Sequence, residues 1–274
     1  MTDVLTERRV AVLGAGKMGS ILLQAFIKTG IVGIENLCAT VAHAERAQTL
    51  SKQYSIRVTR DNRAAVESAD VILLCLKPQA VSEVLQEIRS ELRGEHLLIS
   101  VAASVPTGYI EERLLAKVPV VRAMPNTPAM IGEGITGLCA GSSATAQHLQ
   151  IACGLFDTVG KTVIVDEKYM DAVTGLSASG PAFIYIVLES LAEAGVKVGL
   201  PRDLATLLAA QTTLGASRVV LETGNHPALL KDAVTTPAGC TIDGILELEE
   251  GKLRVTLIKA VVKATQRAKE LLFT

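Results

Sequence analysis

Short β-branched and apolar runs alternate with stretches of helical spacing through the first 166 residues, the pattern of a doubly wound parallel sheet with helices on both faces. Residues 9–13, 36–40, 57–59, 71–75, 97–101 and 118–123 read as strands, and 134–140 and 162–165 complete the sheet. Between them, 19–29, 44–54, 80–88, 107–115 and 144–154 carry helical spacing. Beyond Asp166 the strand pattern stops and the chain reads as helices. In 252–272, Leu257, Val261, Ala264, Ala268 and Leu271 recur every three or four residues, opposite Lys259, Lys263, Gln266, Arg267 and Glu270. Residues 202–222 are apolar over more of their circumference, which predicts burial on more than one side and points to dimerisation. The expected organisation is α/β, with a sheet domain at 1–166 and an all-helical domain at 167–274.

Composition narrows the function classes. Hydrophobic residues make up 49% of the 274 positions but aromatics only 3%, with no Trp, so the core must be built from Ala, Leu, Val and Ile. The 27 basic and 28 acidic residues nearly cancel and form no long run of one sign. Neither nucleic acid nor a membrane surface is therefore an expected partner. Five scattered cysteines (Cys38, Cys75, Cys139, Cys153, Cys240) without a C-x-x-C pair argue against a disulfide framework and against a metal site. Reduced thiols fit a cytoplasmic protein. Residues 1–9 lack an apolar leader, and runs such as 71–76 fall short of the ~20 residues that span a bilayer, so no targeting or transmembrane segment is expected.

Directly after the first strand stands Gly14-Ala15-Gly16-Lys17-Met18-Gly19, opening a helix. In that position the pattern reads as a dinucleotide-binding turn of a Rossmann-type domain. Gly14 permits the turn, Gly16 lets backbone approach a pyrophosphate, and Gly19 lets the helix lie close on the sheet. NAD-preferring enzymes place a carboxylate at the end of the second strand. Here Thr40, His43 and Arg46 stand there instead, which favours NADPH and leaves NADH open. The ends of later strands supply Leu76-Lys77-Pro78, Ala102-Ala103 and Met124-Pro125-Asn126-Thr127-Pro128 as rim segments, because ligands bind at the carboxyl ends of such strands.

None of the four histidines (His43, His96, His148, His226) lies in a rim motif with a plausible partner. The candidate substrate segment, Thr174-Gly175-Leu176-Ser177-Ala178-Ser179-Gly180-Pro181, holds neither His nor Lys. Ketone reduction usually needs such an acid, whereas a C=N bond can be protonated before hydride arrives. The second loop of interest, Thr235-Thr236-Pro237-Ala238-Gly239-Cys240-Thr241, precedes a helical pattern at 242–250 and has the chemistry of a helix cap or of a carboxylate clasp.

Taken together and in this order, Gly14-x-Gly16-x-x-Gly19, Leu76-Lys77-Pro78, Met124 to Pro128, Gly175-Leu176-Ser177-x-Ser179-Gly180-Pro181 and the loop from Pro227 to Thr241 closely resemble the pyrroline-5-carboxylate reductase family over residues 10–272. The resemblance implies reduction of 1-pyrroline-5-carboxylate to L-proline with NAD(P)H, the last step of proline biosynthesis. It also implies a Rossmann domain followed by a helical dimerisation and substrate domain, a homodimer assembled into a larger homo-oligomer, and a substrate site between subunits. Carried over by motif, the backbone N–H groups of Gly239, Cys240 and Thr241 hold the substrate carboxylate, the Thr241 hydroxyl lies near the ring nitrogen, Thr236 supports the loop and Ser177 lies at the substrate. The same resemblance gives Asn62 and Lys77 as cofactor contacts. The alternatives are a hydroxy-acid or other imine reductase of the same architecture and an NADPH-responsive regulator without turnover.

Overall fold

The computed structural model describes residues 3–237 and 239–271. After a short helix α1 (Asp3–Thr6), strands and helices alternate: β1 (Val10–Leu13), α2 (Lys17–Thr29), β2 (Leu37–Thr40), α3 (Ala44–Tyr54), β3 (Arg57–Thr59), α4 (Asn62–Glu67), β4 (Val71–Leu74), α5 (Pro78–Ile88), β5 (Leu97–Ser100), α6 (Thr107–Glu111) and β6 (Val120–Met124). The strands β7 (Gly134–Ala140) and β8 (Gly160–Ile164) flank α7 (Ala146–Phe156), and α8 (Met170–Val173) runs into a π-turn at Thr174–Ala178. Then come α9 (Gly180–Lys197), α10 (Arg202–Thr223), α11 (Pro227–Ala233), α12 (Cys240–Glu250) and α13 (Leu253–Glu270).

The eight strands form one sheet in the order β3-β2-β1-β4-β5-β6-β7-β8. Pairing is parallel except between β6 and β7. Strand order reverses between β1 and β4, which leaves a crevice beyond their carboxyl ends. β1 shows why the runs are apolar throughout: Val10 and Val12 pack on one face with Leu22, Leu23 and Phe26 of α2, while Ala11 and Leu13 pack on the other with Val81, Leu85 and Ile88 of α5. Local chemistry sets the ends of the helices. α2 stops at Gly30 in the left-handed region, and Pro78 opens α5 at a position that needs no N–H.

Several expectations shift in detail. The helix expected over 107–115 ends at Glu111, where single turns take over (Arg113 N–H to Ile110 O, Leu114 N–H to Glu111 O). The last strand starts at Gly160, two residues early. The unforeseen α4 is only six residues long, too short for a periodic signal, yet Asp61 caps it by accepting the Ala64 N–H at 3.0 Å.

By internal packing the chain divides into two compact units, one running through Ser179 and taking in the chain from Lys263 on, the other Gly180–Val262. Residues 167–179, expected at the start of the helical domain, thus pack with the sheet: fully buried Met170 joins Met124 and Cys139 in a small cluster. In the helical unit α9 and α10 meet through small residues. A Cβ on Gly195 would stand 2.8 Å from that of Ala205. Their outer faces expose Ile184, Ile186, Leu207, Leu214 and Leu221. The expectation that no segment reaches bilayer-spanning length is corrected: the helical stretches Glu167–Lys197 and Arg202–Thr223, of 31 and 22 residues, are long and apolar enough by length and composition alone. Such helices are equally the material of a protein–protein interface.

Candidate functional site

The crevice at the β1/β4 switch point is a cleft of about 590 Å³ lined by Gly14, Ala15, Gly16, Lys17, Val41, Ala42, His43, Arg46, Cys75, Leu76 and Lys77. Gly14 and Gly19 meet the steric demands that their spacing predicts. Gly14 has φ +91°, and a Cβ there would stand 2.8 Å from the Cys75 carbonyl oxygen. At Gly19 a Cβ would come 2.5 Å from the Gly14 oxygen, so α2 can lie this close to the turn only with glycine. Gly16, by contrast, faces open space with nothing within 4 Å of its would-be Cβ, at the uncapped N-terminus of α2. An exposed backbone cradle at a helix N-terminus, with three cations beside it (Lys17, Arg46, Lys77), fits the diphosphate of a dinucleotide.

Thr40 does not line this cleft. It is buried beneath the glycine turn, where its carbonyl accepts the Ala15 N–H at 2.8 Å and its carbonyl and hydroxyl oxygens both receive the Gly14 N–H at 3.2 Å. His43 and Arg46 do reach the cleft, at the cap and first turn of α3, and His43 makes no side-chain cap. Burial pushes the Cys75 thiol up to about 12, which keeps this part of the wall neutral. Met18 turns inward against the core.

On the rim, Lys77 caps α5 and Pro78 is its first residue. Ala102 points into the core and Ala103 packs on the Met124 cluster, so both present backbone to the rim. Ser104 beside them adopts φ 64°, and its buried hydroxyl has no partner among the described residues. Asn126 donates through Nδ2 to the Ser177 carbonyl at 3.1 Å and accepts the Ile135 N–H at 3.0 Å. It thereby fixes the π-turn, in which the Ser177 hydroxyl donates to the Val173 oxygen at 2.8 Å. Asn62 is not among the residues that line the cleft, and its amide donates to Glu87 Oε2 at 2.8 Å.

In the helical unit, α11 ends in a turn and α12 begins at Cys240 with Gly239 as its cap. Thr236 stabilises the turn, its carbonyl accepting the Gly239 N–H at 3.1 Å. Among the described residues no side chain caps α12, so the N–H groups of Cys240 and Thr241, its first two residues, stand uncapped at a positive helix end. Ala238 of this loop lies outside the described residues.

Residues 167–271 match a model described as pyrroline-5-carboxylate reductase dimerisation, and 9–104 match one described as NADP oxidoreductase, coenzyme F420-dependent. The pyrroline-5-carboxylate reductase of Methanosarcina acetivorans is 46% identical over 97% of this chain and 99% of its own length. The chain belongs to the pyrroline-5-carboxylate reductase family. The Arabidopsis thaliana reductase is 40% identical over 96% of this chain and 95% of its own. Among solved structures, the reductase of Coxiella burnetii superposes with a TM-score of 0.87 at 35% identity, covering 96% of this chain and 98% of that one. The Plasmodium falciparum enzyme, solved with NADP bound, superposes with a TM-score of 0.88 at 29% identity, covering 97% and 98%.

Against the family resemblance, the cleft brings together Gly14, Ala15, Gly16, Lys17, Arg46, Leu76 and Lys77, and leaves Thr40 and Asn62 tied to other groups. Sequence reasoning missed Arg122. Its side chain, only 3% exposed, faces Asp171 at 3.3 Å and Glu167 at 3.7 Å, and Glu167 also receives the Thr107 N–H and hydroxyl at 2.7 and 2.6 Å. A lone Arg inside the apolar run of β6 was the available signal, since a buried charge needs partners.

Proposed function

We propose that this chain reduces the C=N bond of 1-pyrroline-5-carboxylate to give L-proline, with NADPH as the preferred donor and NADH as an alternative. The open α12 N-terminus carries the reading, because it offers two free N–H groups and a helix dipole to a substrate carboxylate in a chain that lacks a strong acid in its motifs. The Cys240 and Thr241 N–H groups hold the carboxylate. Gly239 and Thr236 shape the loop through their mutual hydrogen bond, the Thr241 hydroxyl positions the ring nitrogen as the catalytic contact, and Ser177 borders the substrate. When bound, the dihydronicotinamide supplies hydride to C5 of the protonated imine. Gly14 to Gly19 cradle the diphosphate, Arg46 faces the 2′-phosphate, Thr40 supports the turn, and Leu76, Lys77, Pro78, Ala102 and Ala103 border the ribose and nicotinamide. Asn62 joins the cofactor contacts once its bond to Glu87 is exchanged. Orientation of the two reactants supplies most of the acceleration.

The exposed apolar faces of α9 and α10 support a homodimer built on the segment from 167 onward, assembled into a larger homo-oligomer in the cytoplasm. The test follows nicotinamide absorbance with purified protein, NADPH and 1-pyrroline-5-carboxylate, then with NADH, and with a keto acid replacing the imine. Imine-dependent oxidation with proline appearing is the expected result. Turnover of the keto acid alone, or cofactor binding without turnover, refutes the proposal. A Thr241→Ala variant with undiminished activity removes Thr241 from its role.

A further inference from the structure

We infer that Ser20 is a positioning residue for cofactor choice, holding Arg46 at the adenosine end of the cleft so that its guanidinium meets the 2′-phosphate; this rests on the NADPH reading above. Ser20 sits on the first turn of α2, and its hydroxyl donates to the Ala15 carbonyl at 3.1 Å. The hydroxyl hydrogen is thereby committed, which leaves the Ser20 oxygen as an acceptor, and Arg46 Nη2 donates to it at 3.5 Å, the long limit of a hydrogen bond. Ala15 is in turn anchored by its own N–H to the Thr40 carbonyl at 2.8 Å. One hydroxyl therefore links the turn that cradles the diphosphate to the cation on the neighbouring helix.

No carboxylate among the described residues holds Arg46. It stands in the first turn of α3, where the helix dipole disfavours a cation. A long, exposed guanidinium without a carboxylate partner samples many rotamers, and each must be given up when an anion binds. The Ser20 oxygen restricts that freedom beforehand, in the direction of the cleft that both Arg46 and His43 line.

The test titrates the full-length protein with 2′,5′-ADP and with 5′-AMP by calorimetry, which separates the 2′-phosphate from the rest of the nucleotide without any turnover. In Ser20→Ala, 2′,5′-ADP is expected to bind about three- to tenfold more weakly while 5′-AMP is unchanged, the size of one modest hydrogen bond. Ser20→Thr, which keeps the hydroxyl, is expected to recover most of the loss. In Arg46→Ala the loss is larger, and adding Ser20→Ala to it changes nothing further, because the serine acts through the arginine. Unchanged 2′,5′-ADP binding in Ser20→Ala overturns the inference, and so does an equal loss for both ligands, which marks a distorted turn. A wild-type protein without preference for 2′,5′-ADP over 5′-AMP overturns the NADPH reading and this inference with it.

Discussion

Gly16 and Gly19 are three residues apart in one motif, yet the structure predicts opposite consequences for adding a single methyl group to each. At Gly19 the new Cβ would stand 2.5 Å from the Gly14 oxygen and 3.2 Å from both the Cys75 Cβ and the Val12 Cγ1. These neighbours are backbone and the packed wall of β1 and β4, so α2 must lift by several tenths of an ångström. Overpacking of this kind costs about 1–3 kcal/mol. At roughly 2–4 °C per kcal/mol for a chain of this size, Gly19→Ala should lower Tm by several degrees at fixed protein concentration. At Gly16 the Cβ meets nothing within 4 Å, and the residue's φ of −77° lies outside the left-handed region. Gly16→Ala should therefore leave stability within about 0.5 kcal/mol of wild type. The same open space is where the diphosphate must approach, so that variant should lose at least about tenfold in NADPH affinity, or 1.4 kcal/mol. Thermal melting and calorimetric titration of the two purified variants separate the effects. Wild-type NADPH affinity in Gly16→Ala, or an undiminished Tm in Gly19→Ala, refutes the assignment of one glycine to the ligand and the other to packing.

Other consequences follow from groups outside the cleft. Arg122→Met removes the charge partner of Glu167 and Asp171, but both carboxylates are about 30% exposed and Glu167 keeps its two bonds from Thr107, so the cost should be nearer 2 kcal/mol than the 3–5 of a fully buried pair; urea midpoints measure it. Ser104→Gly removes an unpartnered buried hydroxyl and a left-handed serine, and against the added chain entropy of glycine it should still stabilise by about 1 kcal/mol in the same assay. His96 is held below its ordinary value of 6.5 by burial and by Arg93, and His148 by burial and by Arg8. The unfolded chain therefore binds more protons than the folded one just below pH 6.5, and stability should fall as pH falls through that window and level off beneath the folded values. Asp70, held below 3.8 chiefly by its hydrogen bond from Arg9, adds a second loss in stronger acid. A urea series from pH 8 to 5 on wild type and His96→Asn should show the shallower slope in the variant; equal slopes exclude His96 as a source.

The sheet was legible because a strand covered on both faces must be apolar at every position, as β1, β4 and β5 are, and the glycine turn because its steric demands fall within six residues. Hydrogen bonds between segments were not legible. Thr40 has the right chemistry for a 2′-phosphate, and its position after β2 suggested that use. The register that sets Leu13 opposite Thr40 instead brings the next N–H groups, those of Gly14 and Ala15, onto its oxygens. Asn62 was likewise claimed by Glu87, 25 residues on, and Arg122 by acids 45 and 49 residues on.

These losses share a physical origin that bears on the candidate site. A polar side chain near a ligand can serve the ligand or serve the backbone that holds it, and residue type does not distinguish the two. Thr40 falls in the second class, since its hydroxyl receives the Gly14 N–H of the neighbouring glycine turn. Arg46 falls in the first, because no carboxylate among the described residues claims it and its helix position disfavours it. The Cys240 and Thr241 N–H groups do as well, because no side chain among the described residues caps the helix they begin. Groups that the fold leaves without a charge partner or cap are free to recognise a substrate or cofactor, and among the described residues they include a guanidinium in the cleft and two backbone amides at the start of α12, all suited to anions.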